Sequence, residues 1–169
     1  VLYYVGTITV SDKSEVFTGD PDGFKTISSF SSWGVPGALT LKPEISAPGG
    51  SIYAVNGLHL NDDGATTSGG HDQYELMSGT SMAAPHITGL TGTLAQYIRE
   101  NNLTISGKTT RQIAQSLLMS TSVPLIEEDS GYYYSILKQG SGLADVLAAI
   151  NAMSYLKVTH VNGNEETAA

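Results

Sequence analysis

The sequence contains no cysteine, which excludes disulfides, zinc–thiolate sites and a cysteine nucleophile without assigning a compartment. Basic residues are scarce: eight lysines and arginines stand against sixteen aspartates and glutamates, a formal net charge of −8. That balance argues against a surface that tracks phosphates, so nucleic acid is not expected as a partner. No apolar run approaches the roughly 18 residues that would cross a bilayer, so no membrane span is expected, and no charged-then-apolar leader opens the chain. The first residues, Val1-Leu2-Tyr3-Tyr4, include no initiator methionine, and the chain reads as an internal piece of a longer protein. No internal repeat is found.

What is there suits a globular domain: 169 residues with 40% hydrophobic content can bury one sizeable core. The chain is organised around Tyr74-Glu-Leu-Met-Ser78-Gly79-Thr80-Ser81-Met82, where a short strand is expected to turn tightly into a long helix. Gly79 permits the bend, Thr80 and Ser81 are N-cap types, and Pro85 is placed in the first helical turn. A hydroxyl at such a joint lies beside unsatisfied amides and the positive end of the helix dipole, a field that favours negative charge developing on a substrate oxygen. The plainer alternative is a serine that only caps a buried helix.

The longer motif decides between them. Gly79-Thr-Ser81-Met-Ala-Ala-Pro-His-Ile-Thr-Gly89 resembles the nucleophile segment of the subtilisin-like serine proteases. The resemblance implies that Ser81 is the acylated nucleophile, with Gly79 and Thr80 supporting the turn. Phe30-Ser-Ser-Trp-Gly34, Lys42-Pro-Glu-Ile-Ser-Ala-Pro-Gly-Gly50, Leu117-Leu-Met-Ser-Thr-Ser-Val-Pro124 and Gln139-Gly-Ser-Gly142-Leu-Ala-Asp-Val146-Leu-Ala-Ala-Ile150 extend it in the same order as in that family. The Ser-Ser-Trp-Gly and Lys-Pro-Glu-Ile forms are most similar to the large cell-envelope proteinases, the lactocepin branch. The implied fold is α/β: the C-terminal half of a three-layer parallel-sheet sandwich, with a buried helix after the nucleophile. Residues 1–23 would be strand and turns returning from an inserted protease-associated domain, 24–155 the C-terminal part of the catalytic domain, and 156–169 a tail or the start of a following module.

Local patterns fill in the elements. Leu2–Val10 alternates like a half-buried strand, residues 11–23 are turn-rich, and 24–34, 41–47 and 51–55 are strand candidates. After Ser81, the apolar stripe Ile87, Leu90, Leu94 and Ile98 runs among small residues, including Gly89 and Gly92. Interior glycines weaken a helix, which is most easily offset by close backbone packing, so this helix is expected to be buried nearly all round. Thr109 or Thr110 caps a second helix, and Glu127-Glu-Asp129 is a solvated turn. The aromatics of Tyr132–Leu137 are expected to cover helix ends, and a third helix opens at the glycine-rich turn near Gly142. Residues 154–163 read as the start of a strand, with a frayed tail beyond.

Serine needs a base oriented by a carboxylate and an oxyanion donor. In the family that this chain resembles, the Asp, the His and the side-chain oxyanion Asn all precede the serine, and none is recognisable here. His86 lies more than a turn from Ser81 on the same helix, His59 and His71 sit in the polar 56–73 loop, and His160 is in the tail, so none is expected to be the base. Asp62, Asp63 and Asp72 supply hard oxygens, but their spacing matches no calcium cage and ordinary solvation is favoured. No cofactor is required, and a structural calcium is not assignable. The resemblance implies an extracellular or cell-wall endopeptidase acting on protein or peptide. This chain would carry only the nucleophile half and would be inactive alone, paired either with the missing N-terminal half or with another copy. Two rivals remain: a non-catalytic pseudoprotease or interaction module that keeps the fold while its parent has lost the base or the acid, and a complete small hydrolase using His59 or His71 with a loop aspartate.

Overall fold

A computed structural model describes residues 25–37, 40–55, 74–159 and 165–167. The expected strand at Leu2–Val10, the 11–23 turns, and the 56–73 loop with its three aspartates and two histidines lie outside the described residues, as does His160.

Among the described residues, four helices and two small sheets follow in the order β1 (Ile52–Val55), β2 (Tyr74–Met77), α1 (Thr80–Glu100), α2 (Thr110–Thr121), α3 (Ile136–Gln139), α4 (Val146–Asn151), β3 (Lys157–Thr159) and β4 (Glu165–Thr167). β1 pairs antiparallel with β2 so that Ile52 opposes Met77 and Val55 opposes Tyr74. β3 and β4 form a second antiparallel pair. Among the described residues the one parallel pairing is the bridge between Ser46 and Leu143, so the parallel sheet of the expected fold is represented here by that contact alone.

The core is helical. Leu94 and Ile98 of α1, Ile113, Ala114, Leu117 and Leu118 of α2, and Ala149 of α4 are buried against one another. α2 begins with a reciprocal cap: Thr109 Oγ1 accepts from Gln112 N–H, and the Gln112 side chain accepts from Thr109 N–H at 2.9 Å. α1 ends in a left-handed residue, Asn102 (φ 52°), with Leu103 N–H donating to Ile98 O at 2.9 Å and Asn102 N–H to Arg99 O at 3.2 Å. That is a Schellman closure, and asparagine tolerates its φ better than most side chains.

Several expectations are corrected. Only Leu94 and Ile98 are buried along α1, and the Cβ positions at Gly89 and Gly92 meet nothing within 4 Å, so among the described residues this helix is fully buried only in its C-terminal half. The apolar stripe buries where α2 and α4 cross it and is only half-buried at Ile87 and Leu90. Pro85 is the sixth helical residue, not a first-turn one, so it removes the amide that would bond the Ser81 carbonyl. Residues 25–34 form turns rather than a strand: Ser31 N–H bonds Ser28 O at 3.0 Å and Gly34 N–H bonds Leu137 O at 2.7 Å. Residues 41–47 hold only the Ser46 bridge, flanked by a cis Lys42–Pro43 bond. Tyr132 and Tyr133 are 78% and 68% exposed, whereas Tyr134 is half-buried with its ring 5.4 Å from Lys138 Nζ of α3, a short helix capped by Ser135. The tail continues past Gly163 into β4, which pairs with β3.

Chain segments far apart in sequence are laced together by backbone bonds. Ser46 N–H donates to Gly142 O at 2.8 Å, Ala144 N–H to Ser46 O at 2.9 Å, and Ser141 N–H to Glu44 O at 2.9 Å. The lacing depends on glycine. Gly140 (φ 65°) would place a Cβ 2.5 Å from the Pro43 and Glu44 carbonyl oxygens. Among the described residues no helix is long and apolar enough to cross a membrane.

Candidate active site

The strand, turn and helix around Ser81 take the expected order: β2 ends at Met77, Ser78 and Gly79 make the turn, and α1 begins at Thr80. The N-cap is Gly79 rather than Thr80 or Ser81. It has an extended backbone (φ 164°, ψ 161°) and makes no side-chain cap. Thr80 and Ser81 are therefore the first two helical residues. Their side chains are exposed and have no hydrogen-bond partner among the described residues.

The amides at this terminus divide into two sets. Gly79 N–H donates to Gly49 O at 2.8 Å, and Met82 N–H returns to Gly79 O at 3.0 Å. Thr80 N–H and Ser81 N–H have no acceptor among the described residues. No acidic residue occupies the first turn, so the positive end of the helix dipole is not neutralised from within the helix. An exposed hydroxyl thus shares its residue with an amide that has no acceptor among the described residues, at a helix N-terminus. This arrangement can receive negative charge on an oxygen held beside the hydroxyl.

The turn has outside support from residues 49–51. Gly49 supplies the carbonyl that holds Gly79, and Ser51 N–H donates to Ser78 Oγ at 2.8 Å. A groove of about 1200 Å³ opens beside this support, lined by apolar residues such as Ile27, Phe30, Ile45, Ile52 and Ile87. Gly79 and Thr80 form part of its wall and Ser81 does not.

His86 also lines the groove. Its Nδ1 lies 2.8 Å from Met82 O, so Nδ1 carries the proton and the ring is tied to its own helix. Among the described residues there is no group of three or more histidines, aspartates or glutamates that could hold a metal ion. The sequence placed Ser81, Gly79 and Thr80 at one joint, where the structure also has them. It did not single out Gly49, Ser51 or Ser78. The Pro48-Gly49-Gly50 run is a turn signal, but nothing in it names a partner some thirty residues away.

Comparison with known proteins identifies the family. A sequence profile of the subtilase family matches residues 4–152. The C5a peptidase of Streptococcus pyogenes serotype M3 is 30% identical over 151 residues, covering 86% of this chain and 12% of that protein. Subtilisin-like protease SBT4.7 of Arabidopsis thaliana is 36% identical over 129 residues, covering 75% of this chain and 17% of that protein. Among solved structures, the prenylagaramide maturation protease PagA superposes on 78% of the chain and 39% of its own, with a TM-score of 0.50 at 23% identity. The chain therefore spans between about a tenth and a fifth of the length of the curated relatives it matches.

Proposed function

The chain belongs to the subtilase family, and on that footing we propose that it is the nucleophile-bearing part of a longer serine endopeptidase, with Ser81 the residue acylated. One observation carries this reading: Ser81 presents an exposed hydroxyl at the N-terminus of α1, next to its own amide, and neither has a partner among the described residues. In the proposed reaction Ser81 Oγ attacks the scissile carbonyl carbon while a histidine takes its proton. The developing oxyanion is held by Ser81 N–H together with an asparagine side chain, and the amine leaves with the proton to give an acyl-enzyme that water hydrolyses. Gly79 and Thr80 shape the turn.

The histidine, the aspartate that orients it and the asparagine belong to the part of the protein that precedes this chain. The 169 residues alone are inactive on this reading, which is supported by His86 being tied to Met82 O. Residues 24–155 are the C-terminal part of the catalytic domain, 1–23 lead back from an inserted domain, and 156–169 lead out. The substrate is protein or peptide, no cofactor is required, and the setting is extracellular or cell-wall.

A fluorophosphonate probe tests the assignment on this chain and on the longer protein, with Ser81→Ala as the control. Labelling of the longer protein alone, lost in Ser81→Ala, is the expected result. Labelling of the chain alone would make one of its own histidines the base, and labelling of neither would favour a pseudoprotease.

A further inference from the structure

We propose that the Pro48–Ser51 turn is a positioning device for Ser81, acting through Gly49 and Ser78; the inference rests on Ser81 being the nucleophile. Ser78 and Gly79 are the whole connection between the last residue of β2 and the helix that carries Ser81. Each is gripped once from the same neighbouring turn: Gly79 N–H by Gly49 O at 2.8 Å, and Ser78 Oγ by Ser51 N–H at 2.8 Å.

The grip leaves no slack. A Cβ on Gly49 would lie 2.8 Å from Gly79 O and 3.2 Å from the Ala83 Cβ, so two backbones meet with no side chain between them. A shift of one is passed to the other, because no rotamer can absorb it. Ser51 adds a second sign of constraint. Its φ of 50° lies in the left-handed region, which a non-glycine residue keeps only where its surroundings fix it. Here that conformation sends its N–H to Ser78.

The turn is itself anchored from behind. Ser46 is held by Gly142 O and the Ala144 amide, and its hydroxyl donates to Gln139 O at 2.8 Å. A strap running from this anchor through Pro48 to Ser51 thus sets where Ser78 and Gly79 sit, and through them the Ser81 hydroxyl. It also determines which amides remain available. With Gly79 N–H taken by Gly49 O, Thr80 N–H and Ser81 N–H are the donors beside the nucleophile that have no acceptor among the described residues. Displacing a reacting group by about 1 Å can lower a rate roughly a hundredfold, so a modest loosening of this grip is visible in the chemical step.

The test measures fluorophosphonate inactivation of the longer, full-length protein, separating the maximal rate from the half-saturating probe concentration. Ser78→Ala, which removes an exposed acceptor, is expected to lower the maximal rate roughly tenfold with the half-saturating concentration unchanged, and Ser78→Thr to restore it within about twofold. Gly49→Ala should slow the same step by at least as much if it folds. A Ser78→Ala rate within about twofold of the unsubstituted protein, or a Ser78→Thr protein as slow as Ser78→Ala, would overturn the proposal. Ser81→Ala separates the two readings: labelling that survives it overturns the nucleophile assignment and this inference together. Labelling lost in Ser81→Ala but undiminished in Ser78→Ala overturns the positioning role alone.

Discussion

Gln139 and Leu125 are joined in both directions: Leu125 N–H donates to Gln139 Oε1 at 2.7 Å, and Gln139 Nε2 donates to Leu125 O at 3.5 Å and to Tyr134 O at 2.6 Å. Gln139 is buried, so these bonds form away from competing water. Gln139→Ala leaves a buried amide and at least one carbonyl unmatched. It is expected to destabilise the fold by about 2–4 kcal/mol, read as a lower midpoint in chemical denaturation with an unchanged slope.

Ser116 is the converse case. Its hydroxyl is buried on α2, at 1% exposure, and has no partner among the described residues. Ser116→Ala removes that unmet polar group at almost no cost in volume. A neutral change or a gain of up to about 1 kcal/mol in the same assay is expected. A clear loss would mean that the hydroxyl has a partner in solution.

At Gly140 the positive φ and the closeness of the Pro43 and Glu44 carbonyls act together. Gly140→Ala must therefore push two backbones apart and is expected to cost about 3 kcal/mol or more, read as a large drop in thermal midpoint. At Gly92 neither constraint applies. Gly92→Ala should raise the stability of the isolated chain by up to about 1 kcal/mol, the difference in helix propensity. If a further layer of the longer protein covers α1, the same substitution should lower that protein's stability. A gain in both would show that the face stays open.

The register of the first sheet places Tyr53, Val55, Tyr74 and Leu76 on one face, where the two tyrosine rings stack at 5.4 Å. Val55 and Leu76 remain 67% and 63% exposed. The isolated chain is therefore expected to scatter light as something larger than a monomer, and Leu76→Lys to shift it back towards one.

Thr109 caps α2 in a reciprocal exchange with Gln112, so Thr109→Ala should cost about 1 kcal/mol. Gln112→Ala removes the other arm, the side-chain acceptor of Thr109 N–H, and should cost no more than this.

Features set by neighbours in sequence were legible in advance. The turn before Ser81, the Thr109 cap and the inward residues of α2 each depend on residues a few positions apart. Misreadings arose where distant contacts decide. Residues 24–34 have strand-like composition, yet Gly34 is bonded to Leu137 and the segment turns instead. The small residues of α1 implied close packing, but nothing described lies over Gly89 or Gly92. Asn162-Gly163 is a hairpin signal in the sequence, and it accompanies the β3–β4 pairing that an expected frayed tail overlooked. The grip of Gly49 and Ser51 on the Ser81 turn was beyond reach, because glycine and serine in a turn do not name their partners.

The strap at Ser46 is closed by residues far along the chain. The Ser51–Ser78 bond spans 27 residues, whereas Ser46 reaches Gln139 across 93 and Glu44 reaches Ser141 across 97. Closing the longer loop costs only about 1 kcal/mol more than the shorter one, so final stability scarcely registers the difference. The order of events does. As the chain leaves the ribosome, the serine turn can meet Gly49 and Ser51 once α1 has begun, yet the anchor behind them must wait for about sixty further residues. A truncation before Gln139 would leave the hydroxyl-bearing turn formed but unbraced, which makes the last glycine-rich loop the step that completes the site.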